Sequence, residues 1–182
     1  MAVTSVILDS CVLYPMYLRD TLLCAADAGL YRVHWSQEIL DGAIRNLVAD
    51  RQITQHQAAY LERQMNSAFP EAMVAVTERL IPCMDNDPRD RHVLAAALIA
   101  KAHVIVTDNL KHFPAASLSQ FRVEAQSADR FLTYLYDLSP DSMHEVLQTQ
   151  VSRLRKPPMS ISDLLNLLEK SVPTFVSRFR SR

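Results

Sequence analysis

The sequence predicts an α/β fold with a central, mostly parallel sheet and a helical C-terminal extension. Short apolar strand patterns alternate with helical patterns through residues 1–125, which is typical of strands joined by right-handed helical crossovers. From Ser127 onward the pattern is helical throughout. We therefore predict one domain over residues 1–126 and an extension over residues 127–182 that packs on this domain or on a partner.

The opening segment predicts two strands separated by a helix. Val3 to Leu8 is apolar and β-branched, as in a strand buried on both faces, and Asp9 follows at its carboxyl end. Pro15 is suited to open a helix, and Gly29 is suited to end it in a left-handed conformation. A second strand is predicted over residues 31–35.

A helical hairpin is predicted over residues 36–69. Ser36 suits the N-cap of its first helix, which carries Glu38 in the first turn, and the second helix covers residues 55–69. The hairpin offers an apolar groove that would suit a partner helix or self-association. A further short strand is predicted over residues 80–84, near an end or an edge of the sheet because it contains a proline.

The stretch Asp87-Pro88-Arg89-Asp90 fits the start of a helix. Asp87 would be the N-cap, Pro88 the first helical residue, and Asp90 would reach back as in a capping box. The predicted helix continues to about residue 102 and is almost wholly apolar after His92, so we expect it to press against the sheet.

The remaining elements are predicted from similar local signals. A strand covers residues 103–107 and ends at Asp108, as the first strand ends at Asp9, and a short edge strand covers residues 122–125. In the extension, helix breaks are predicted at Ser139-Pro140 and at Pro157-Pro158.

Composition and charge exclude several classes of protein. The chain has 182 residues with a formal net charge of −1, which gives no overall drive toward nucleic acid or anionic membranes. Its two glycines exclude a phosphate-cradling loop. Seven basic and two acidic residues follow residue 149, so this region could form an electrostatic track for RNA, although its apolar stripe favours packing.

The cellular location is predicted to be the cytoplasm. Three cysteines without CxxC spacing indicate unpaired thiols in a reducing compartment. The N-terminus lacks the basic region of a secretory signal, and no apolar run approaches about 18 residues, so we expect no membrane span.

Four acidic residues fall at predicted strand or helix ends: Asp9, Glu38, Asp90 and Asp108. Ligands of open parallel sheets gather at the carboxyl ends of strands. Carboxylates that converge there repel one another unless a divalent cation compensates, and hard oxygen ligands suit Mg²⁺ or Mn²⁺ rather than zinc. Such a site is suited to hydrolysing phosphodiester bonds.

Each acid also has a structural interpretation. Glu38 could simply interact favourably with the dipole of its helix, and Asp108 could form a turn after its strand. Asp9 is the hardest to explain in this way, because a carboxylate at a buried strand end is costly without a cation or several donors. We predict that Asp9, Asp90 and Asp108 bind the metal, while Glu38 binds metal or positions water.

Neighbouring residues are candidates for binding substrate. Thr107 could hydrogen-bond Asp9 or a ligand water, or could simply be a β-branched strand residue. Asn109 could supply a neutral oxygen or amide. Arg89 and Arg91 could meet RNA phosphates, or could be solvated charges.

The chain resembles PIN-domain proteins of the VapC-like toxin type. The matching stretches are VILDSCVLYP (6–15), WSQEIL (35–40), DPRDRHVLAAAL (87–98) and VIVTDNLKHFP (104–114). The resemblance implies a three-layer α/β/α sandwich and a Mg²⁺- or Mn²⁺-dependent endoribonuclease. It also implies RNA as substrate and a toxin–antitoxin pairing with a cognate antitoxin. We further predict a homodimer, which the apolar groove of the hairpin over residues 36–69 would suit. Asp9, Glu38 and Asp90 match the first three acids of the family.

The fourth acid of the family is where this sequence departs. Family members commonly have Thr-x-Asp, and here the Asp of that motif is replaced by Asn109. Others have Thr-x-Asn with an Asp three residues later, and here that later position holds His112. Asp108 lies one residue before the usual place. An alternative is therefore a catalytically weak PIN-like module that binds RNA or a protein partner. Phosphoryl transfer on small substrates is disfavoured, because Cys11 occupies the second aspartate position of haloacid-dehalogenase-like phosphatases.

Overall fold

The computed structural model describes residues 3–154 and 158–181, and within them five strands form one sheet. The strands are β1 (Ser5–Leu8), β2 (Arg32–Ser36), β3 (Met73–Val74), β4 (Val104–Val106) and β5 (Glu124–Gln126). The α-helices of the described residues are α1 (Ser10–Leu13), α2 (Met16–Asp27), α3 (Gln37–Ala49), α4 (Gln55–Ala68), α5 (Arg91–Ile99), α6 (Ala115–Ser119), α7 (Ala128–Leu138), α8 (Pro140–Arg153), α9 (Ile161–Leu168) and α10 (Pro173–Arg180). Short 3₁₀ turns cover Ile81–Cys83 and Leu110–His112.

The sheet is parallel throughout, with the strand order β3-β2-β1-β4-β5. Central β1 pairs with β2 through Ile7 and His34 and with β4 through Ile7 and Ile105. Val6, Ile7 and Leu8 are all fully buried, and successive strand residues point to opposite faces, so helices must cover both faces. The prediction of a three-layer α/β/α sandwich is confirmed.

Helix α5 is the most deeply buried helix beside the sheet. It packs on β1, β2 and β4, and Val93 through Ala97 are fully buried. Three alanines in this helix allow its backbone to approach the strands closely, which explains the apolar run noted in the sequence. The helix fixes the position of the residues at its N-terminal end.

Helix α2 ends as the sequence predicts. Gly29 has a φ of +76°, and the backbone N–H of Leu30 donates to the carbonyl of Ala25, as in a Schellman motif. A Cβ added at Gly29 would meet no atom within 4 Å, so only the backbone conformation disfavours a side chain there.

Replacing Gly29 with alanine should therefore lower the free energy of unfolding by about 1 kcal/mol, the cost of a left-handed residue that has a Cβ. Urea denaturation of the wild type and Gly29→Ala measures this difference. Equal stability of the two proteins would show that the left-handed turn is absent in solution.

Two local predictions are wrong. The strand predicted over residues 80–84 is a 3₁₀ turn, Ile81–Cys83, and a two-residue strand, β3, forms upstream at the sheet edge instead. The helix predicted to start at Pro88 begins at Arg91, with Asp90 rather than Asp87 at the N-cap position. The Asp87 side chain accepts from the backbone N–H of Arg89, so it closes a turn before the helix.

The C-terminal helices pack on the rest of the chain. Helix α8 lies against α2, where the buried Thr21 hydroxyl donates to Oε1 of Gln150 at 2.8 Å, and α10 lies against α7. The predicted break at Ser139-Pro140 is present between α7 and α8. The other predicted break involves Pro157, which is outside the described residues. The division of the chain at residue 126 stays a prediction.

No helix in the described parts of the chain is both long and apolar enough to cross a membrane.

Candidate active site

Asp9 lies at the carboxyl end of central β1, and its carboxylate is held by four donors. The residue is 1% exposed. Oδ1 accepts from the backbone N–H and the hydroxyl of Ser10, at 2.6 and 3.2 Å. Oδ2 accepts from the hydroxyl of Thr107 at 2.7 Å and from the thiol of Cys11 at 3.4 Å. These donors compensate for burial of the carboxylate and fix its orientation.

Cys11 acts as a donor in this group. Burial, followed by the charge of Asp9, raises the pKa of the Cys11 thiol to about 12. The thiol is therefore protonated at neutral pH and able to donate to Asp9. The backbone N–H of Asp108 donates to Sγ of Cys11 at 3.3 Å, which ties the segment after β4 to the segment after β1.

Thr107 joins the same two segments. Its side chain is fully buried, its hydroxyl donates to Asp9, and the same oxygen accepts from the backbone N–H of Asn109 at 3.1 Å. Of the alternatives considered from the sequence, the structure shows the hydrogen bond to Asp9. Contact of Thr107 and Asn109 with substrate stays a prediction.

Replacing Thr107 with valine should destabilise the protein by about 1–3 kcal/mol, because a buried Asp9 oxygen loses its shortest side-chain donor. Thr107→Ser keeps the hydroxyl and is the matched control. The free energy of unfolding, measured by urea denaturation, should fall in Thr107→Val and stay closer to that of the wild type in Thr107→Ser. Equal behaviour of the two variants would contradict the role of the hydroxyl.

Asp108 lies close enough to Asp9 for the two charges to interact. Partial desolvation, and secondarily Asp9, raise the pKa of Asp108, while a hydrogen bond from the backbone N–H of Ala128 opposes this shift. That hydrogen bond reaches Oδ1 of Asp108 at 3.3 Å and comes from the first residue of α7. One oxygen of Asp108 thus anchors the C-terminal helices beside Asp9.

A second cluster forms around Asp90 at the start of α5. Oδ2 of Asp90 lies 2.6 Å from Nδ1 of His112. Nε2 of His112 lies 3.3 Å from Nη2 of Arg89, which is paired through two nitrogens with the carboxylate of Asp87. The pKa of Asp87 is well below its usual range because Arg89 donates to it. His112, one of the two positions where the resemblance leads us to expect a fourth acid, thus lies against Asp90.

The predicted phosphate-binding arginines already have partners within the protein. Arg89 is bound to Asp87, although its side chain is 75% exposed. Nε of Arg91 donates to the backbone carbonyl of Asn86 at 3.3 Å. Binding of RNA by either arginine stays a prediction.

Glu38 stands apart from both clusters. Its side chain is largely exposed in the first turn of α3, where Ser36 caps the helix as predicted. Its Oε2 lies 3.8 Å from Nδ1 of His92, a residue of α5. Glu38 is thus positioned toward the same helix that carries Asp90 at its N-cap.

Three features of the site are not evident from sequence patterns: the His112–Asp90 contact, the His92–Glu38 contact, and the buried Asn86. Asn86 is 2% exposed, and its side-chain amide has no hydrogen-bond partner among the described residues. The family comparison of motifs draws attention to His112 in the sequence. Its contact with Asp90, however, depends on how the loop before α5 meets the loop after β4.

The basic C-terminal region is partly neutralised. Arg178 pairs with Asp137, Arg180 with Glu169 and Arg153 with Asp27. These exposed ion pairs contribute little stability, but they reduce the positive charge available along this surface.

The donor chemistry of the site fits a hard divalent cation. Its candidate ligands are carboxylates, and Mg²⁺ is typically held by only one or two of these together with waters and substrate phosphates. Within residues 3–154 and 158–181, no three His, Cys, Asp or Glu side chains converge into a ready-made metal cage. Asp9 and Asp90 are each held by hydrogen bonds, and their binding of a common cation stays a prediction.

Comparison with known proteins identifies both parts of the chain. The profile of the PIN domain matches residues 4–111, and that of the VapC50 C-terminal domain matches residues 128–181. The chain is 41% identical over 101 residues to a Mycobacterium tuberculosis (strain ATCC 25618 / H37Rv) protein named "Putative ribonuclease VapC50". The matched region covers 56% of this chain and 60% of that relative. No solved structure matches significantly.

The PIN-domain match covers more than half of the chain, and the sheet order and buried Asp9 are observed independently. The chain belongs to the PIN-domain family.

Proposed function

We propose that this protein is a Mg²⁺- or Mn²⁺-dependent endoribonuclease that hydrolyses RNA phosphodiester bonds as the toxin of a toxin–antitoxin pair. The observation that carries the proposal is Asp9, a buried carboxylate held by four donors at the centre of the sheet's carboxyl edge. The name of the mycobacterial relative, a ribonuclease, supports the same reaction.

In this mechanism Asp9, Asp90 and Asp108 would hold the cation. A bound divalent cation lowers the pKa of water and stabilises charge on a phosphate. Ser10 and Thr107 keep the Asp9 carboxylate directed to one place, and the anchored Asp108 adds negative charge beside it. Glu38, with its exposed carboxylate, would bind the cation or orient the attacking water and accept its proton.

The RNA backbone would lie across the carboxyl edge of the sheet. Arg91 and Arg89 flank Asp90 and would contact phosphates. Asn109 would face the substrate from the segment after β4, with its backbone N–H held by the buried Thr107. Contacts of this kind position an RNA strand without reading its sequence.

We place the protein in the cytoplasm, where its proposed partners are an antitoxin and a second copy of the chain. A groove of about 400 Å³ lies between α4 and the helices α2 and α8 rather than within the hairpin of α3 and α4. Its apolar part includes Leu61, Met65 and Phe69, and charged side chains such as Arg19, Asp27 and Arg153 line the rest. This groove would accept an apolar partner helix.

Expression of the protein should arrest growth, and co-expression of a neighbouring small protein should relieve the arrest. Harmless expression of an active nuclease would contradict the toxin role.

A second candidate is a PIN-like module that binds RNA or a protein partner with little catalysis. It is favoured by His112, which binds Asp90 at the position where an acid is usual in the family. The purified protein is tested for RNA cleavage with Mg²⁺ or Mn²⁺ and with EDTA. Cleavage abolished by EDTA supports the nuclease, and absent cleavage with unchanged RNA binding in EDTA supports the binding module.

A further inference from the structure

We infer that His112 is a positioning residue for Asp90, which it orients through a hydrogen bond from Nδ1. This inference rests on the proposed function, because Asp90 is one of its metal ligands. It assigns to the histidine a role different from that of an acid at the same position, which would supply an oxygen ligand itself.

The contact between the two side chains is short and largely shielded from solvent. Nδ1 of His112 lies 2.6 Å from Oδ2 of Asp90, and the side chains are 12% and 15% exposed. Hydrogen bonds between an imidazole and a carboxylate are stronger in such surroundings than in water. Asp90 makes no capping bond to α5 that would fix its side chain otherwise.

The partners of the ring determine where its proton lies. An ionised carboxylate only accepts, so Nδ1 must carry the proton that binds Asp90. Nε2 of His112 lies 3.3 Å from Nη2 of Arg89 and 3.8 Å from Oδ2 of Asp87. The contact with Asp90 therefore requires a proton on Nδ1. Both ring nitrogens lie against side chains of the protein itself.

The rest of the network holds the ring in place. Arg89 is fixed by two hydrogen bonds to Asp87, and the backbone N–H of Asp87 donates to the carbonyl of His112 at 3.2 Å. The segment Asp87–Arg89 thus contacts His112 twice, through the backbone at Asp87 and through the side chain of Arg89. Such outer contacts orient metal ligands and commonly affect metal affinity by about 10–100-fold.

Two amide variants test the inference. The side-chain nitrogen of asparagine occupies the place of Nδ1, whereas that of glutamine occupies the place of Nε2. His112→Asn should retain the wild-type Kd for Mn²⁺, and His112→Gln should weaken Mn²⁺ binding by roughly 10-fold or more. Isothermal titration of the full-length chain with Mn²⁺ alone measures both. Equal Kd values for the two variants would overturn the positioning role.

An acidic variant separates orientation from ligation. In His112→Asp two carboxylates would face each other without a donor, so Mn²⁺ should bind more weakly than in the wild type. If His112→Asp binds Mn²⁺ more tightly while His112→Gln is unchanged, position 112 serves as a ligand position and the inference fails.

A measurement without metal keeps the inference independent of the proposed function. Nitrogen-15 shifts of the His112 ring should show that Nδ1 is protonated, and Asp90→Asn should alter the His112 signals. A ring with Nδ1 unprotonated would overturn the inference whether or not Mn²⁺ binds. Absent Mn²⁺ binding and RNA cleavage in the wild type, with Nδ1 protonated, would instead overturn the proposed function alone.

Discussion

Asp9→Asn should lower metal-dependent RNA cleavage by about 100-fold or more, because removing one ligand charge costs the transition state several kcal/mol of stabilisation. The substitution keeps the size of the side chain but replaces one carboxylate oxygen with an amide donor. That amide would face Ser10 or Thr107, which both donate to Asp9. Cleavage of a labelled RNA at saturating Mn²⁺ measures the change.

Asp41→Asn is the matched control for this experiment. Asp41 is exposed on α3 and accepts from the side chain of Gln37. It should leave cleavage unchanged, and circular dichroism should show that both variants are folded. Cleavage by Asp9→Asn at the wild-type rate would exclude Asp9 from the reaction and contradict the proposed site.

Leu168→Ala should destabilise the protein by about 2–5 kcal/mol, the usual cost of emptying a buried leucine position. Leu168 is 1% exposed on α9, a helix that packs on α2, α8 and α10. The adjacent Leu167 is 46% exposed, so Leu167→Ala should change stability by less than about 0.5 kcal/mol. Urea denaturation measures the free energy of unfolding of both variants.

This pair of variants also tests how the C-terminal helices are connected to the rest of the chain. If they unfold together with the sheet, Leu168→Ala shifts one common transition. A separate early transition, confined to the C-terminal helices, would support an independent unit after residue 126. Equal effects of the two substitutions would contradict the packing of α9.

Most of the fold could be predicted because its signals are local. The apolar run before Asp9 predicts a buried strand, Ser36 predicts the start of α3, and Gly29 predicts the end of α2. The position of Asp9 at the carboxyl end of the central strand follows directly from where the apolar run ends. Local signals failed over residues 80–84, where a short apolar run is equally compatible with a strand and a 3₁₀ turn.

The sequence by itself determined the alternation of elements, the acids at their ends and the unusual histidine at position 112. Only the tertiary structure decided their partners: Thr107 on Asp9, Ala128 on Asp108 and His112 on Asp90. These pairs join segments 98, 20 and 22 residues apart. The physical reason is that such contacts depend on strand register and loop direction, which are set by packing of the whole sheet and its helices.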